Sequence, residues 1–241
     1  MIEPKVYLLD VEGTVAPLTL TSEVLFPYAR KHFKEFLEVP ATDRSVAIDL
    51  AHDLAELILE NRQEKEHDAL RIVLNSPPNA AAQSLEYIYW LMDRDRKSTA
   101  LKSLQGKIWK AGFERGELKG TLFADVPEAF ARWSQRVRVA IYSSGSVEAQ
   151  QLLFRHSNFG DLTPLISGYF DTRTGPKRGI DSYRAIAVAM GVAPGEMLFF
   201  SDVVAELDAA REAGCGTRLV VRPGNVPVGD SGGHPVISSF D

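Results

Sequence analysis

Four short apolar runs, each ending on polar residues, set the frame of the chain. Val6-Tyr7-Leu8-Leu9 runs into Asp10 and the turn-like Glu12-Gly13-Thr14. Val137 to Tyr142 runs into Ser143-Ser144-Gly145-Ser146, Met197 to Phe200 into Ser201-Asp202, and Thr217 to Val221 into Arg222-Pro223-Gly224. Continuous apolar runs bounded by turn residues predict buried strands. Between them, Glu128 to Gln135, Val147 to His156, Ser182 to Met190 and Ala205 to Ala213 carry helical spacing. Strand and helix in alternation predict an α/β fold: a Rossmann-like, mostly parallel sheet with helices on both faces. Ligands of such sheets bind beyond the carboxyl ends of the strands, where the polar residues gather.

The stretch from Leu18 to Lys119 breaks this rhythm. It has few strand-like runs, and helical patterns fill Ala47 to Gln63, Ala80 to Arg94 and Thr99 to Phe113. Ser76-Pro77-Pro78-Asn79 predicts a loop between them. Pro27, early in the Glu23–Leu37 pattern, marks a helix start or a kink. The expected division is therefore an α/β core over 1–17 and 120–241, with an all-helical cap inserted over 18–119. The last dozen residues, with Gly232-Gly233 and Pro235, predict a loose tail or a short final strand.

Composition narrows the function classes. Hydrophobic residues are 45% and charged residues 24%, ordinary for a globular protein with a sizeable core. The formal charge of −5, from 27 Lys and Arg against 32 Asp and Glu, gives no reason to expect nucleic acid or an anionic membrane as partner. Met1-Ile2-Glu3-Pro4-Lys5 lacks the pattern of a signal peptide, and no apolar run nears the roughly 18 residues of a membrane span. The single cysteine, Cys215, fits a reducing compartment and predicts a core position. The expectation is a cytoplasmic protein acting on a small molecule. His32, His52, His67, His156 and His234 lack zinc-type pairing and predict structural or surface roles. The Arg94-Asp95-Arg96-Lys97 run predicts a solvated helix end. Trp109, Phe113 and the Arg115–Lys119 loop either face the substrate from the cap or form cap core and a solvated turn.

Asp10 and Glu12, two residues apart on one turn, allow a division of labour on a phosphate ester. One carboxylate attacks phosphorus while the other protonates the leaving oxygen and later deprotonates water. Gly13 permits the tight turn and Thr14 offers a hydroxyl to the local network. Asp10, Glu12 and Asp202 converging on an anion require a hard cation, for which Mg²⁺ suits carboxylates and phosphate. Asp10 and Asp202 are the expected side-chain ligands, with Glu12 contributing its carbonyl or carboxylate; Glu206 is an outer candidate. Ser143, Ser144 and Gly145 sit where a helix N-terminus cradles phosphate, and Lys177 is a cation on a Gly/Pro loop. Taken singly, each has a plainer reading: turn cap, helix cap or solvated lysine.

Their order joins them. A nucleophilic Asp, a Ser after a second strand, a loop Lys and an acidic cluster after a later strand resemble the haloacid-dehalogenase-like phosphatase superfamily. That resemblance implies Asp10 as nucleophile, Ser143 and Lys177 as phosphate contacts, Asp202 as metal ligand, and the helical insertion as a cap. Most of the superfamily carries Asp where Glu12 stands. Glu there resembles a narrower branch, the enolase-phosphatases of methionine salvage. Val24-Leu25-Phe26-Pro27-Tyr28-Ala29, Leu104-Gln105-Gly106-Lys107-Ile108-Trp109, Gly116-Glu117-Leu118-Lys119-Gly120, Asp125-Val126-Pro127 and Tyr142 to Gln150 are similar to it as well. The resemblance implies a Mg²⁺-dependent, monomeric enzyme that enolises 2,3-diketo-5-methylthiopentyl-1-phosphate and then removes phosphate to give an acireductone. Alternatives are a phosphatase of the same fold acting on another small ester, a non-enzymatic phospho-Asp module, and a metal-free dehalogenase.

Overall fold

The computed structural model describes residues 3–38, 44–66, 68, 71–72 and 77–241. The chain divides into two compact units, Met1–Ser22 with Gly116–Asp241, and Glu23–Arg115. The divisions fall a few residues inside the expected 18–119 insertion. Leu18 to Ser22 stay with the first unit, where the Thr21 N–H donates to Glu12 Oε1 at 3.2 Å. At the other end, Gly120 N donates to His156 O at 2.9 Å and Leu118 is buried.

The first unit is built on six parallel strands: β1 (Val6–Leu9), β2 (Arg138–Tyr142), β3 (Ile166–Phe170), β4 (Met197–Ser201), β5 (Gly216–Val220) and β6 (Val236–Ile237). Their order is β3-β2-β1-β4-β5-β6. Leu8 pairs with Ala140 on one side and Phe199 on the other. Connections run outward in both directions from β1, so the order reverses between β1 and β4. A crevice at the carboxyl ends of those two strands follows from that reversal. The strands match the apolar runs because they are buried on both faces. Val6, Leu8, Tyr142 and Phe199 pack with Tyr183 and Ile186 of α7 (Ile180–Ala189) and Leu207 of α8 (Val204–Glu212). Alternate residues point to the opposite face. There Tyr7 meets Trp133 of α5 (Val126–Trp133) edge-on at 5.1 Å, and Phe130 stacks on Phe154 of α6 (Val147–Arg155) at 6.0 Å. Cys215 is buried in the first of these clusters, as its composition argument predicts.

Strand β3 lies outside the sequence expectation. It is an edge strand, only half-buried, and Gly168 interrupts its apolar pattern. The tail does form a short final strand, β6.

The second unit is all-helical: α1 (Phe26–Glu38), α2 (Arg44–Gln63), α3 (Pro77–Asp93) and α4 (Thr99–Glu114). A π-helical turn over Leu20–Leu25 leads into α1, and Pro27 falls in the first turn of α1, where a missing N–H is harmless. The loop expected over Ser76–Asn79 is corrected in part: Pro77, Pro78 and Asn79 begin α3, while Ser76 lies outside the described residues. Two prolines opening a helix read equally as loop or as N-terminus. Ala29, Phe33, Leu57, Ile88 and Leu104 form the core of this unit. At Gly112 a β-carbon would come within 2.6 Å of the Tyr28 ring, so the glycine lets α4 close on α1. Phe113 is buried, and the half-buried Trp109 donates to Leu25 O at 2.8 Å while stacking on Phe26 within this unit. Arg94 and Arg96 stack on Trp90 and pair with Asp68, Glu64 and Glu66, so this helix end is an ion-pair network rather than merely solvated. His67 lies outside the described residues.

Candidate active site

Asp10 leaves β1 beside the end of β4, its N–H donating to Phe200 O at 2.9 Å. Val11 N donates to Asp10 Oδ1 at 2.7 Å, and the chain then turns sharply, with Gly13 N donating to Ala16 O at 2.7 Å. Gly13 has φ +74°, and a β-carbon there would lie 2.2 Å from Asp202 Oδ2. The turn is held from outside as well. Asn225 Nδ2 donates to Gly13 O at 2.9 Å and Arg222 Nε to Thr14 O at 3.0 Å. The Arg222 guanidinium lies between the rings of Phe123 and Phe240, at 4.7 and 4.4 Å, and bonds Asp125 at 2.7 Å. Arg222 and Asn225 are supporting residues that sequence reasoning missed. The Arg222-Pro223-Gly224 strand end was the available signal. The hydroxyl expected of Thr14 in the local network is corrected: Thr14 Oγ1 is buried without a partner among the described residues, and the carbonyl makes the contact instead.

Lys177 reaches this turn from its Gly/Pro loop. Its Nζ lies 2.6 Å from Asp10 Oδ1 and 2.7 Å from Glu206 Oε2, with all three side chains nearly buried. Ser201 Oγ also donates to Glu206 Oε2, at 3.0 Å. Burial works to lower the Lys177 ammonium, but Asp10 and Glu206 outweigh it and hold the group above its usual value, so it stays charged. Burial raises Glu206, and the charge of Asp10 adds to that. Glu12 is also raised by burial, against the opposing Thr21 hydrogen bond.

Ser143 N donates to Phe170 O at 3.1 Å, and Ser143 Oγ accepts from Gly145 N at 3.2 Å. Ser144 lies between them in the loop, and Ser146 caps α6 by accepting from Ala149 N at 3.2 Å. Gln150 holds the loop from below, donating to Gly145 O at 2.8 Å and Phe170 O at 2.9 Å. The loop therefore stands at the end of β2 and the start of α6, where the N–H groups of Ser143, Gly145 and Val147 already donate within the protein, Val147 to Asp171 Oδ2 at 3.3 Å.

Whether these residues suit a cation is decided by Asp202. Its Oδ1 is buried with no hydrogen-bond partner among the described residues. Burial, then the charge of Asp10, push the carboxyl up to about 7. A buried carboxylate oxygen without a partner is costly unless a cation meets it, so the donor set fits a hard ion. Among the described residues no three His, Cys, Asp or Glu side chains converge as a complete cage. Such an ion would therefore draw on two carboxylates, backbone oxygen, water and substrate, as Mg²⁺ commonly does.

Residues 4–214 match the family model for haloacid dehalogenase-like hydrolases. Enolase-phosphatase E1 of Synechococcus elongatus is 52% identical over 97% of this chain and 95% of that protein. The same-named protein of Leptospira borgpetersenii is 43% identical over 98% of this chain and 97% of that one. Among solved structures, the UTR4 protein of Saccharomyces cerevisiae superposes with a TM-score of 0.80 at 34% identity, covering 99% of both chains.

Proposed function

We infer the reaction from one premise: the chain belongs to the haloacid dehalogenase-like hydrolases and, within them, to the enolase-phosphatases. The proposed substrate is 2,3-diketo-5-methylthiopentyl-1-phosphate of methionine salvage. It is enolised and then dephosphorylated to the acireductone 1,2-dihydroxy-3-keto-5-methylthiopentene. The reading takes the chain as a monomer acting in the cytoplasm on a small phosphate ester. Among the described residues no helix is long and apolar enough to cross a membrane.

The observation that carries the phosphatase half is the lysine bridge, Lys177 Nζ between Asp10 Oδ1 and Glu206 Oε2. Among the described residues both side-chain contacts of Asp10 fall on Oδ1. Oδ2 is then the oxygen that attacks phosphorus. As the P–O bond to the substrate breaks, Glu12 gives its proton to the leaving oxygen, a role suited to a carboxyl raised by burial. Glu12 next takes a proton from water, the water oxygen bonds to phosphorus, and the P–O bond to Asp10 breaks, restoring the carboxylate. Lys177 and the Ser143-Ser144-Gly145 loop, through the Ser143 hydroxyl, face the charge on the equatorial oxygens. Asp10 and Asp202, with Glu12 contributing, would hold Mg²⁺, which would supply positive charge to phosphoryl transfer and Lewis acidity to enolisation.

Ultraviolet monitoring of the diketone phosphate with protein and Mg²⁺, alongside phosphate release, tests the reading. An enol absorbance that precedes stoichiometric phosphate is expected. Turnover of many other esters but not of the diketone would refute the substrate and leave a phosphatase of the same fold.

A further inference from the structure

The segment carrying Lys177 belongs to no helix or strand, so its carbonyls need partners from elsewhere. Three consecutive ones take hydroxyl groups. Tyr142 donates to Gly175 O at 2.9 Å, Ser182 to Pro176 O at 2.8 Å and Tyr183 to Lys177 O at 2.6 Å. Gly179 N also reaches Pro176 O, at 2.8 Å. The three donors are buried, at 0, 3 and 0% exposure, so water does not compete for them. They come from fixed elements. Tyr142 is the last residue of β2, immediately before Ser143, while Ser182 and Tyr183 lie in the first turn of α7. The two tyrosine rings meet edge-on at 5.7 Å, and Tyr183 packs on Phe199 of β4 at 5.1 Å. A β-carbon at Gly175 would lie 2.3 Å from Ser182 Oγ, so the segment rests directly on its donors.

We propose that this ladder of three hydroxyls positions Lys177 for phosphoryl transfer, making Tyr183, Ser182 and Tyr142 positioning residues that never touch substrate. A lysine ammonium sits on a long flexible stem, and its position between two carboxylates depends on where its backbone is held. Tying that backbone to β2 and α7 registers it to the strand that leads into Ser143 and, through Phe199, to the strand that leads into Asp202. Losing a tyrosine hydroxyl from the ladder removes the side-chain donor of Gly175 O or Lys177 O, whereas Pro176 O keeps Gly179 N; the loop is then freer to shift, and displacement of order 1 Å near a reacting centre costs up to about 100-fold in rate. The proposal rests on the reading of Lys177 as the cation facing the phosphoryl group.

The test compares Tyr183→Phe, Ser182→Ala and Tyr142→Phe in steady-state kinetics, each with its melting temperature. Tyr169→Phe is the matched control, since the buried Tyr169 hydroxyl has no partner among the described residues. The expected result is graded by distance along the loop from Lys177. Tyr183→Phe should lower kcat about tenfold and Tyr142→Phe about threefold, with KM within about twofold and Tyr169→Phe unchanged. Should Tyr183→Phe fail to fold, Ser182→Ala, whose carbonyl is one residue further from Lys177 and keeps Gly179 N, should lower kcat by an amount between those of the two tyrosine variants, about fivefold. A loss confined to KM, a larger loss in Tyr142→Phe than in Tyr183→Phe, or kinetics matching Tyr169→Phe would overturn the ladder. Lys177→Met separates the two levels of inference. If it keeps turnover within about tenfold, the reading of the site fails, whereas an inactive Lys177→Met beside an unaffected Tyr183→Phe refutes the ladder alone.

Discussion

Gly13 and Asp202 approach so closely that any side chain at position 13 would meet the Asp202 carboxylate, 2.2 Å from where its β-carbon would stand. The backbone at Gly13 also has φ +74°, a conformation that costs a non-glycine residue roughly 1–2 kcal/mol. Gly13→Ala therefore must move either the nucleophile turn or Asp202. A fall in kcat/KM of roughly 100-fold or more is expected, with the fold retained by circular dichroism. Activity within a few fold of wild type would show that the turn adapts without displacing the carboxylates.

Asp202 carries the expectation for the metal. An Oδ1 with no partner among the described residues and a carboxyl pushed up to about 7 describe a group that gains from a cation. A ligand that binds only the folded state raises the melting temperature by mass action. Added Mg²⁺ should stabilise the wild-type chain, and Asp202→Asn should remove that increment along with turnover. Thermal scans with and without Mg²⁺ and chelator check this without relying on catalysis. Equal stabilisation of both proteins would place the ion elsewhere.

Arg222 and Asp125 form the support beneath the nucleophile turn. Asp125 Oδ2 accepts from Arg222 Nη1 and from Phe240 N, both at 2.7 Å. Burial works to raise this carboxyl, but the Arg222 and Phe240 hydrogen bonds and the Arg222 charge together hold it below its ordinary value of 3.8. Asp125→Ala leaves a nearly buried guanidinium without its partner, so it should cost about 3 kcal/mol, or roughly 6–12 °C in melting temperature. A carboxyl depressed in the folded state contributes its stability fully above the unfolded value and loses it as pH falls through the folded value. The gap between wild type and Asp125→Asn should thus be widest near neutral pH and close below pH 3.8. Denaturant titrations at both pH values measure it; a gap that persists in acid would contradict the assignment.

What the sequence disclosed follows from how each element is buried. Val6 to Leu9 is legible as a strand because both its faces are covered, leaving an unbroken apolar run. Ile166 to Phe170 is not, because an edge strand tolerates Ser167 and Gly168 on its half-exposed surface. Asp10, Ser143, Lys177 and Asp202 stand out because they are polar residues at strand ends and in a Gly/Pro loop, arranged in one order. The structure brings Lys177 to Asp10 and Asp202 to the Gly13 turn. The supports behind them are silent in sequence. Arg222 and Asn225 serve the carbonyls of Thr14 and Gly13 across 208 and 212 residues of chain. Likewise, Tyr142 closes an apolar run and Tyr183 falls in a helical pattern, with nothing in either to mark its hydroxyl. A side chain can be read from sequence, but which distant carbonyl lacks a partner cannot.

Attack of Asp10 on phosphorus is the step on which the proposed reaction turns. Quenching in acid during turnover, followed by peptide mass spectrometry, locates the phosphoryl group. One phosphoryl group is expected on Asp10, seen with Mg²⁺ and substrate and absent from Asp10→Asn, which releases no phosphate. A phosphoryl group on another residue, or continued phosphate release by Asp10→Asn, would contradict it.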